Sequence, residues 1–348
     1  MLKMEYVEDR NILVSIIIPV YNVKRYIDEA LMSVVKQSYA NLEIIVVDDG
    51  STDGSEKICK LYADNDKRIQ LIRQENKGLS SARNRGLELM TGEYVAFLDS
   101  DDAFHQDFVS LLLNEALSTG SDIVECKCDR YHTRGLIKDK NHNVIGLQYN
   151  RKIHNNTQAL RALADGELDH VTWNKLYKRD VWDDIRFPDG HVYEEVDTTY
   201  RLIEKSKRIC ALCISLYKHR IRDDSISGTC SQRKVADWFL AYEHWETFIE
   251  LNIPSIFTPE QLNIVRLSRI KPMIGFYGKY ENEGLNDNEF KKKIRTTIIS
   301  FGKRYCVGEC DYRTKMAYAM IRHFPRLFRL SFRIWYPIRH LIYGLFEG

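Results

Sequence analysis

The sequence predicts an α/β fold with a mostly parallel sheet and flanking helices over residues 1–230, and a C-terminal helical domain over 231–348. Three observations predict it. Short β-branched runs, too brief for helices, alternate with segments of helical period. Each run stops at a turn-rich, polar or acidic cluster. From about Gly228 onward the runs cease, and apolar residues recur only at helical spacing. A length of 348 residues favours two or three domains, and the first divides into halves at 1–110 and 111–230.

Bulk composition narrows the function classes. The chain is 44% apolar and 29% charged, as a globular protein with a sizeable core should be. A formal net charge of +2 is too small to argue for nucleic acid as a partner. The eight cysteines are scattered. Cys210-x-x-Cys213 lacks a second close pair, so reduced thiols in a cytoplasmic protein are expected rather than zinc. Met1–Arg10 has no apolar segment of a signal peptide, and no apolar run reaches ~18 residues.

The elements follow in order. Ile12–Ile18 is a buried strand stopped by Pro19, and Pro19-Val20-Tyr21-Asn22 is its exit loop. A helix over Tyr26–Gln37 carries Ile27, Ala30, Leu31, Val34 and Val35. Glu43–Val47 is the second strand, ending in Asp48-Asp49-Gly50-Ser51. Asp53 and Glu56 have capping-box spacing for the next helix. Arg68–Arg73 is a third strand. A helix over Ala82–Met90 is expected to end with Gly92 at C′. Tyr94–Leu98 is the fourth strand, and it runs into Asp99-Ser100-Asp101-Asp102.

Strand–helix alternation makes the strands parallel, so their carboxyl ends gather along one rim, where ligands bind in open α/β sheets. Asp99 and Asp101, at i and i+2, point to one side of an extended chain. They could seat a hard divalent cation against substrate phosphates, or serve as an acidic turn capping the following helix. No G-x-G-x-x-G follows the first strand, and no G-x-x-x-x-G-K-S/T occurs.

Ile18–Asn22, Val47–Asp53, Asn76–Gly86 and Leu98–Asp102 together resemble the family 2 glycosyltransferases, inverting enzymes with the GT-A (Rossmann-like) fold. The match is dense over about Val14–Val124 and looser to about Gly228. The resemblance makes 1–110 the nucleotide-binding half and 111–230 the acceptor and catalytic half. It implies a UDP-sugar donor, with Pro19 and Tyr21 lining the base pocket and Asn22 and Gly50 beside them. Asp49 would accept the uracil imide N–H. Arg83, Asp99 and Ser100 would lie near the nucleotide, and Asp101 with Asp99 would hold Mn²⁺ or Mg²⁺.

Further on, Phe104–Leu117 reads as a helix, Asp122–Cys128 as a strand, Asp129–Arg151 as a hairpin or loop, and Thr157–Ala164 as a helix. Val171–Arg179 and Phe187–Asp197 also resemble the family, in which a Trp-Asn-Lys-Leu-Tyr segment precedes a Glu-Asp pair whose Asp is the catalytic base. Here the pair is Glu194-Glu195. An inverting transfer needs one carboxylate to take the acceptor proton, so Glu195 is the expected base, with Glu194 and Asp197 as fallbacks. A neighbouring acid raises one pKa of the pair. Trp173 could stack on a sugar, Lys175 could meet phosphate or acceptor, and Arg220 or Arg222 could neutralise the leaving diphosphate. Glutamate in place of aspartate also leaves open a non-catalytic nucleotide-sugar-binding or scaffold subunit.

The last part is helical over Val235–Leu251, Pro259–Ile274 and Phe290–Phe301, with a charged loop at Glu281–Glu289. Trp238, Phe239, Tyr242, Trp245, Phe248 and Ile249 form a core stripe. The tail Ile321–Phe346 sets Arg322, Arg326, Arg329 and Arg333 on one side of a helix and Phe324, Leu327, Phe328, Ile334 and Trp335 on the other, with a kink at Pro337. That pattern suits a helix lying in an anionic membrane surface, packing on its own domain, or homodimerisation. A lipid-linked glycan acceptor at the inner face of the cell membrane, in capsule, exopolysaccharide or teichoic acid-type synthesis, would fit the first.

Overall fold

The computed structural model describes residues 11–132, 149–222, 231–282, 288–304 and 310–334. Two compact units divide the chain, at residues 1–225 and 226–348.

In the first unit β1 (Val14–Val20), β2 (Leu42–Asp48), β3 (Ile69–Arg73) and β4 (Tyr94–Phe97) pair in parallel in the order β3-β2-β1-β4. They alternate with α1 (Ile27–Val35), α2 (Ser55–Asn65) and α3 (Leu79–Leu89). Beyond β4 the sheet becomes mixed. After β5 (Ala103–Phe104) and α4 (Phe108–Thr119) come β6 (Ile123–His132), β7 (Arg151–Asn155), α5 (Asn156–Ala164), β8 (Lys175–Lys178), α6 (Glu194–Lys205) and β9 (Arg208–Ile221). β8 is antiparallel to β4 and β6, while β6 and β9 are parallel. The expected α/β class with a mostly parallel sheet holds, and its parallel character resides in β1 to β4 and in the pair of β6 with β9.

The core explains why short runs suffice. Every residue of β1 is buried, as central strands covered on both faces require. Helix α3 lies so close to β1 that a Cβ on Gly86 would fall 2.4 Å from Ile17 Cγ2.

Several boundaries differ from expectation for physical reasons. Pro19 does not stop β1, which pairs through Val20. The Ile17 carbonyl faces β4 and the Val20 carbonyl faces β2, so alternation puts Pro19 on the β4 side. There β4 has already ended opposite Ile17, and the missing N–H costs no ladder bond. Gly92 is not a left-handed C′. A Cβ there would lie 2.6 Å from Ser15 Oγ, so close approach to β1 demands glycine. Asp53 and Glu56 form no capping box. Gly54 caps α2 in the left-handed region, and Asp53 instead accepts from the Lys24 and Ser55 N–H groups. The expected helix at Phe104 begins at Phe108, because Phe104 is drawn into β5 opposite Tyr217. β6 continues to His132 within the expected loop, whose residues 133–148 lie outside the described ones. Cys210 is buried and Cys213 exposed on β9, opposite sides of a strand that cannot share one metal.

The second unit contains α7 (Gln232–Leu251), α8 (Pro259–Asn282), α9 (Asn288–Arg304), α10 (Tyr312–His323) and a further helical stretch at 325–334. Trp238, Trp245 and Ile249 of the expected stripe are buried. Trp245 meets Phe257 edge-on, and Glu246 pairs with Arg266 and Arg269 between α7 and α8. The tail is not one helix. The chain breaks at Phe324 and restarts at Pro325, a residue suited to a first helical turn. Phe328, placed by the sequence on the apolar side opposite the arginines, is buried against Tyr277. Trp335, Pro337 and the rest of the tail lie outside the described residues, as do 283–287 of the charged loop. No helix among the described residues is long and apolar enough to cross a membrane.

Candidate active site

The carboxyl ends of β1–β4 form the rim. At one end the exit loops of β1 and β2 are stitched together. Asn22 adopts φ 51° and its side-chain oxygen accepts from the Thr52 N–H at 2.9 Å, while its own N–H donates to Ser51 Oγ. Tyr21, beside it, is 49% exposed and leaves a ring available for stacking. Asp49 is buried, and its carboxylate accepts from Gln74 Nε2 (2.8 Å), Lys77 N (2.9 Å) and Gly78 N (2.8 Å). Gly50 closes the turn at φ 78°, with Asn76 N only 3.1 Å from where a Cβ would stand. The sequence signalled Asp49, but not the loop it gathers: Gln74 and the Lys77–Gly78 amides are distant in sequence and carry no motif for this bond.

At the other end the acids are held by arginines. Arg83, buried on α3, reaches Asp99 at 2.6 Å and Glu194 at 2.5 Å, and its guanidinium lies over the Phe187 ring. One side chain thus joins α3, the tip of β4 and the start of α6. The expectation that Arg83 lies near the nucleotide becomes more specific: its charge is committed to two carboxylates. Tyr193, in the left-handed region at φ 69°, launches α6, so Glu194 and Glu195 occupy its first turn, where the helix dipole favours acids. Burial, then the adjacent Glu194, push the Glu195 carboxyl up to about 8. Asp197 lies on another side of α6, beside Tyr200.

Asp101 meets Arg222 at 2.8 Å. Burial and the neighbouring Asp102 push its carboxyl up to about 6, with Asp99 adding to the rise. Ser100 is buried between them in sequence. Asp102 plays a structural part that the sequence did not reveal. It accepts from the Tyr217 hydroxyl (2.7 Å) and the Arg220 N–H (2.7 Å), with His219 Nδ1 3.2 Å away. Trp173 stacks on Tyr217 and on His219, at centroid separations of 4.2 and 5.2 Å. The only sequence signal for this cluster is the i, i+2 placement of Tyr217 and His219 on one face of a strand.

Two expected phosphate or acceptor ligands are internal instead. Lys175 is 1% exposed, and its ammonium is shared among Glu125, Asn174 Oδ1 and the Asp169 and Val171 carbonyls. A desolvated ammonium must be so satisfied. Arg220 is buried with Glu29 and the Asp101 carbonyl and lies over the Tyr26 and Tyr131 rings. A separate cavity of about 400 Å³ lies on the flank of α3 away from Arg83, between Gln74, Lys77 and Ser81 on one side and Arg186 and Asp189 on the other.

The residues present fit a divalent cation. Asp99 and Asp101 are hard oxygen donors, and burial, then the neighbouring Asp102, disfavours the Asp101 charge that a cation would stabilise. Among the described residues no three His, Cys, Asp or Glu side chains are grouped to hold a metal by themselves. A cation here would complete its shell from substrate phosphates, as Mg²⁺ commonly does.

Comparison with known proteins agrees with this fold. Residues 15–186 match the family model described as "Glycosyl transferase family 2". Glycosyltransferase GlyA of Streptococcus pneumoniae is 36% identical over 226 residues, covering 63% of this chain and 32% of that protein, so the chain spans about a third of its length. Putative glycosyltransferase EpsH of Bacillus subtilis is 32% identical over 245 residues, covering 69% of this chain and 70% of that one. Among solved structures, Staphylococcus aureus TarS 1–349 in complex with UDP-GlcNAc superposes with a TM-score of 0.62 at 19% identity, over 92% of this chain and 89% of that one.

Proposed function

The chain belongs to glycosyl transferase family 2, and we propose that it moves a hexosyl or hexosaminyl unit from a UDP-sugar to an acceptor hydroxyl, with inversion at the anomeric carbon. The acceptor would be a growing, lipid-linked glycan of a bacterial surface polysaccharide. One observation carries the reading: the Asp99–Arg83–Glu194 bridge ties the acids at the tip of β4 to the first turn of α6. It sets Glu195 within electrostatic reach of Asp99. That proximity supports a reading in which a donor diphosphate and an acceptor base would meet at one place. The UDP-GlcNAc held by TarS supports a uridine donor.

Each residue has a task. Tyr21 stacks on the base, and Asp49, rigidly held by its loop, accepts the imide N–H. Asp101 and Asp99 would hold Mn²⁺ or Mg²⁺, which would supply positive charge for the departing diphosphate. Arg222, at Asp101, adds positive charge beside it. Glu195 takes the proton of the acceptor hydroxyl as that oxygen attacks. A carboxyl raised to about 8 is a strong enough base for this near neutral pH. Arg83 holds Glu194 and so orients the turn that carries Glu195.

Glutamate at 195 favours one second reading, a donor-binding subunit without turnover. Thermal shift with uridine and guanosine sugar nucleotides, with and without Mn²⁺, and a donor-hydrolysis assay separate the two. Uridine donors should stabilise the protein, more so with Mn²⁺, and sugar release should vanish in Glu195→Gln while UDP binding persists. Binding without release supports the subunit, and stabilisation by guanosine donors instead overturns the base assignment.

A further inference from the structure

The net charge of +2 conceals a division. Residues 1–225 hold 32 lysines and arginines against 37 aspartates and glutamates, a formal −5, while residues 226–348 hold 19 against 12, a formal +7. The basic unit also leaves apolar side chains in solvent. Of thirteen exposed large apolar side chains among the described residues, six lie between Tyr312 and Ile334.

These six are ordered. On α10, Tyr312 and Met316 stand one turn apart, while Thr314, Tyr318 and Ile321 turn inward. After the break, Phe324 is 64% exposed, and Leu327, Leu330 and Ile334 follow at i, i+3 and i+7, one row along the 325–334 helix. Phe328, on the inner side, anchors that helix to its own core. Lys315, Arg322, Arg326 and Arg333 are exposed alongside the two apolar rows. Single exposed leucines are ordinary. Apolar rows bordered by cations have the pattern of helices that lie in a membrane interface.

We infer that the face formed by Tyr312, Met316, Phe324, Leu327, Leu330 and Ile334, with its bordering arginines, docks on an anionic phospholipid bilayer. Charge selects the occupant. A second copy would bring two +7 units face to face, whereas anionic headgroups neutralise the arginines as the leucines enter the acyl boundary. A polyanion without an apolar interior would leave the leucines in water. The inference is independent of the transfer reading, since its readout is binding to lipid and needs no turnover.

Flotation of the full chain tests it, with vesicles of phosphatidylcholine alone or mixed with phosphatidylglycerol. The protein should float with the anionic vesicles, much less with phosphatidylcholine, and less as salt rises. Leu327→Glu with Leu330→Glu should lower partitioning at least tenfold. Arg326→Glu with Arg333→Glu should lower it by about fivefold or more per residue. Both pairs are exposed, and unchanged circular dichroism and UDP binding would show the fold intact. Flotation equal for wild type and both variants, or absent for wild type, overturns the inference. So does a dimer in sedimentation that the leucine variants dissolve, which would assign the face to a second copy.

Discussion

The two ends of the strand-tip rim hold their carboxylates in different ways. At the proposed base end Asp48, Asp49 and Asp53 are bonded chiefly to backbone N–H groups of Ser51, Lys77, Gly78, Lys24 and Ser55, with Arg73 3.5 Å from Asp48. At the reaction end Asp99, Glu194 and Asp101 are held by the side chains of Arg83 and Arg222. Acids tied to backbone belong to the path of the chain, so on the proposed reading the base pocket is preformed. Acids tied to arginines keep an adjustable balance, and there burial shifts Asp101 and Glu195 far from ordinary carboxyl values. On the proposed reading the first end serves recognition and the second moves protons and charge.

That contrast can be broken or sharpened by experiment. The largest effect is expected from Glu195→Gln, which should cut transfer by about 10²–10⁴-fold, the usual share of a general base, with UDP affinity unchanged by calorimetry. A variant retaining most of its turnover would move the base elsewhere. Next, Arg83→Met strips the partner from buried Glu194 and from Asp99. It should lower unfolding free energy by about 3–5 kcal/mol in urea titration; a loss under about 1 kcal/mol would mean that the bridge is dispensable.

A pH profile probes the same end more gently. A base with its carboxyl near 8 is protonated at lower pH, so kcat/KM should rise roughly tenfold per unit below that value and level off above it. Glu195→Asp should move the inflection; a profile flat from acid to alkaline pH in the wild type would detach Glu195 from catalysis. The same shift has a stability sign. The folded chain keeps a proton that the unfolded chain releases near 4.5, so this group's contribution is full below that pH and is lost as pH rises toward about 8. The smallest effect belongs to the base end. Gly50→Ala meets both φ 78° and a backbone amide 3.1 Å away, and should cost about 1–3 kcal/mol while weakening UDP binding. An alanine variant of unchanged stability would show that the loop gives way readily and is not preformed.

Much of this was legible in the chain. The four parallel strands were visible because β-branched runs bounded by turns report local burial, and parallel order follows from alternation with helices. Tyr21, Asp49, Asp99 and Asp101 were marked because they sit where those runs end. Lys175 and Arg220 misled, since a charged side chain looks the same in sequence whether it meets a ligand or a buried partner such as Glu125 or Glu29. The tail misled in the same way: helical period separated its faces, but not which of them the domain would cover, and Phe328 went inward while Leu327 and Leu330 stayed out.

By itself the sequence determined what depends on neighbours within a few residues: strand and helix, and the acids at strand tips. Only the tertiary structure decided what depends on partners far along the chain. Arg83 and Glu194 are 111 positions apart, and Asp102 and His219 are 117. Local pattern is written by backbone geometry and burial, which act residue by residue. Charge pairing, and the burial that raises the proton affinity of Glu195, exist only once folding has removed water from between groups that the sequence keeps apart.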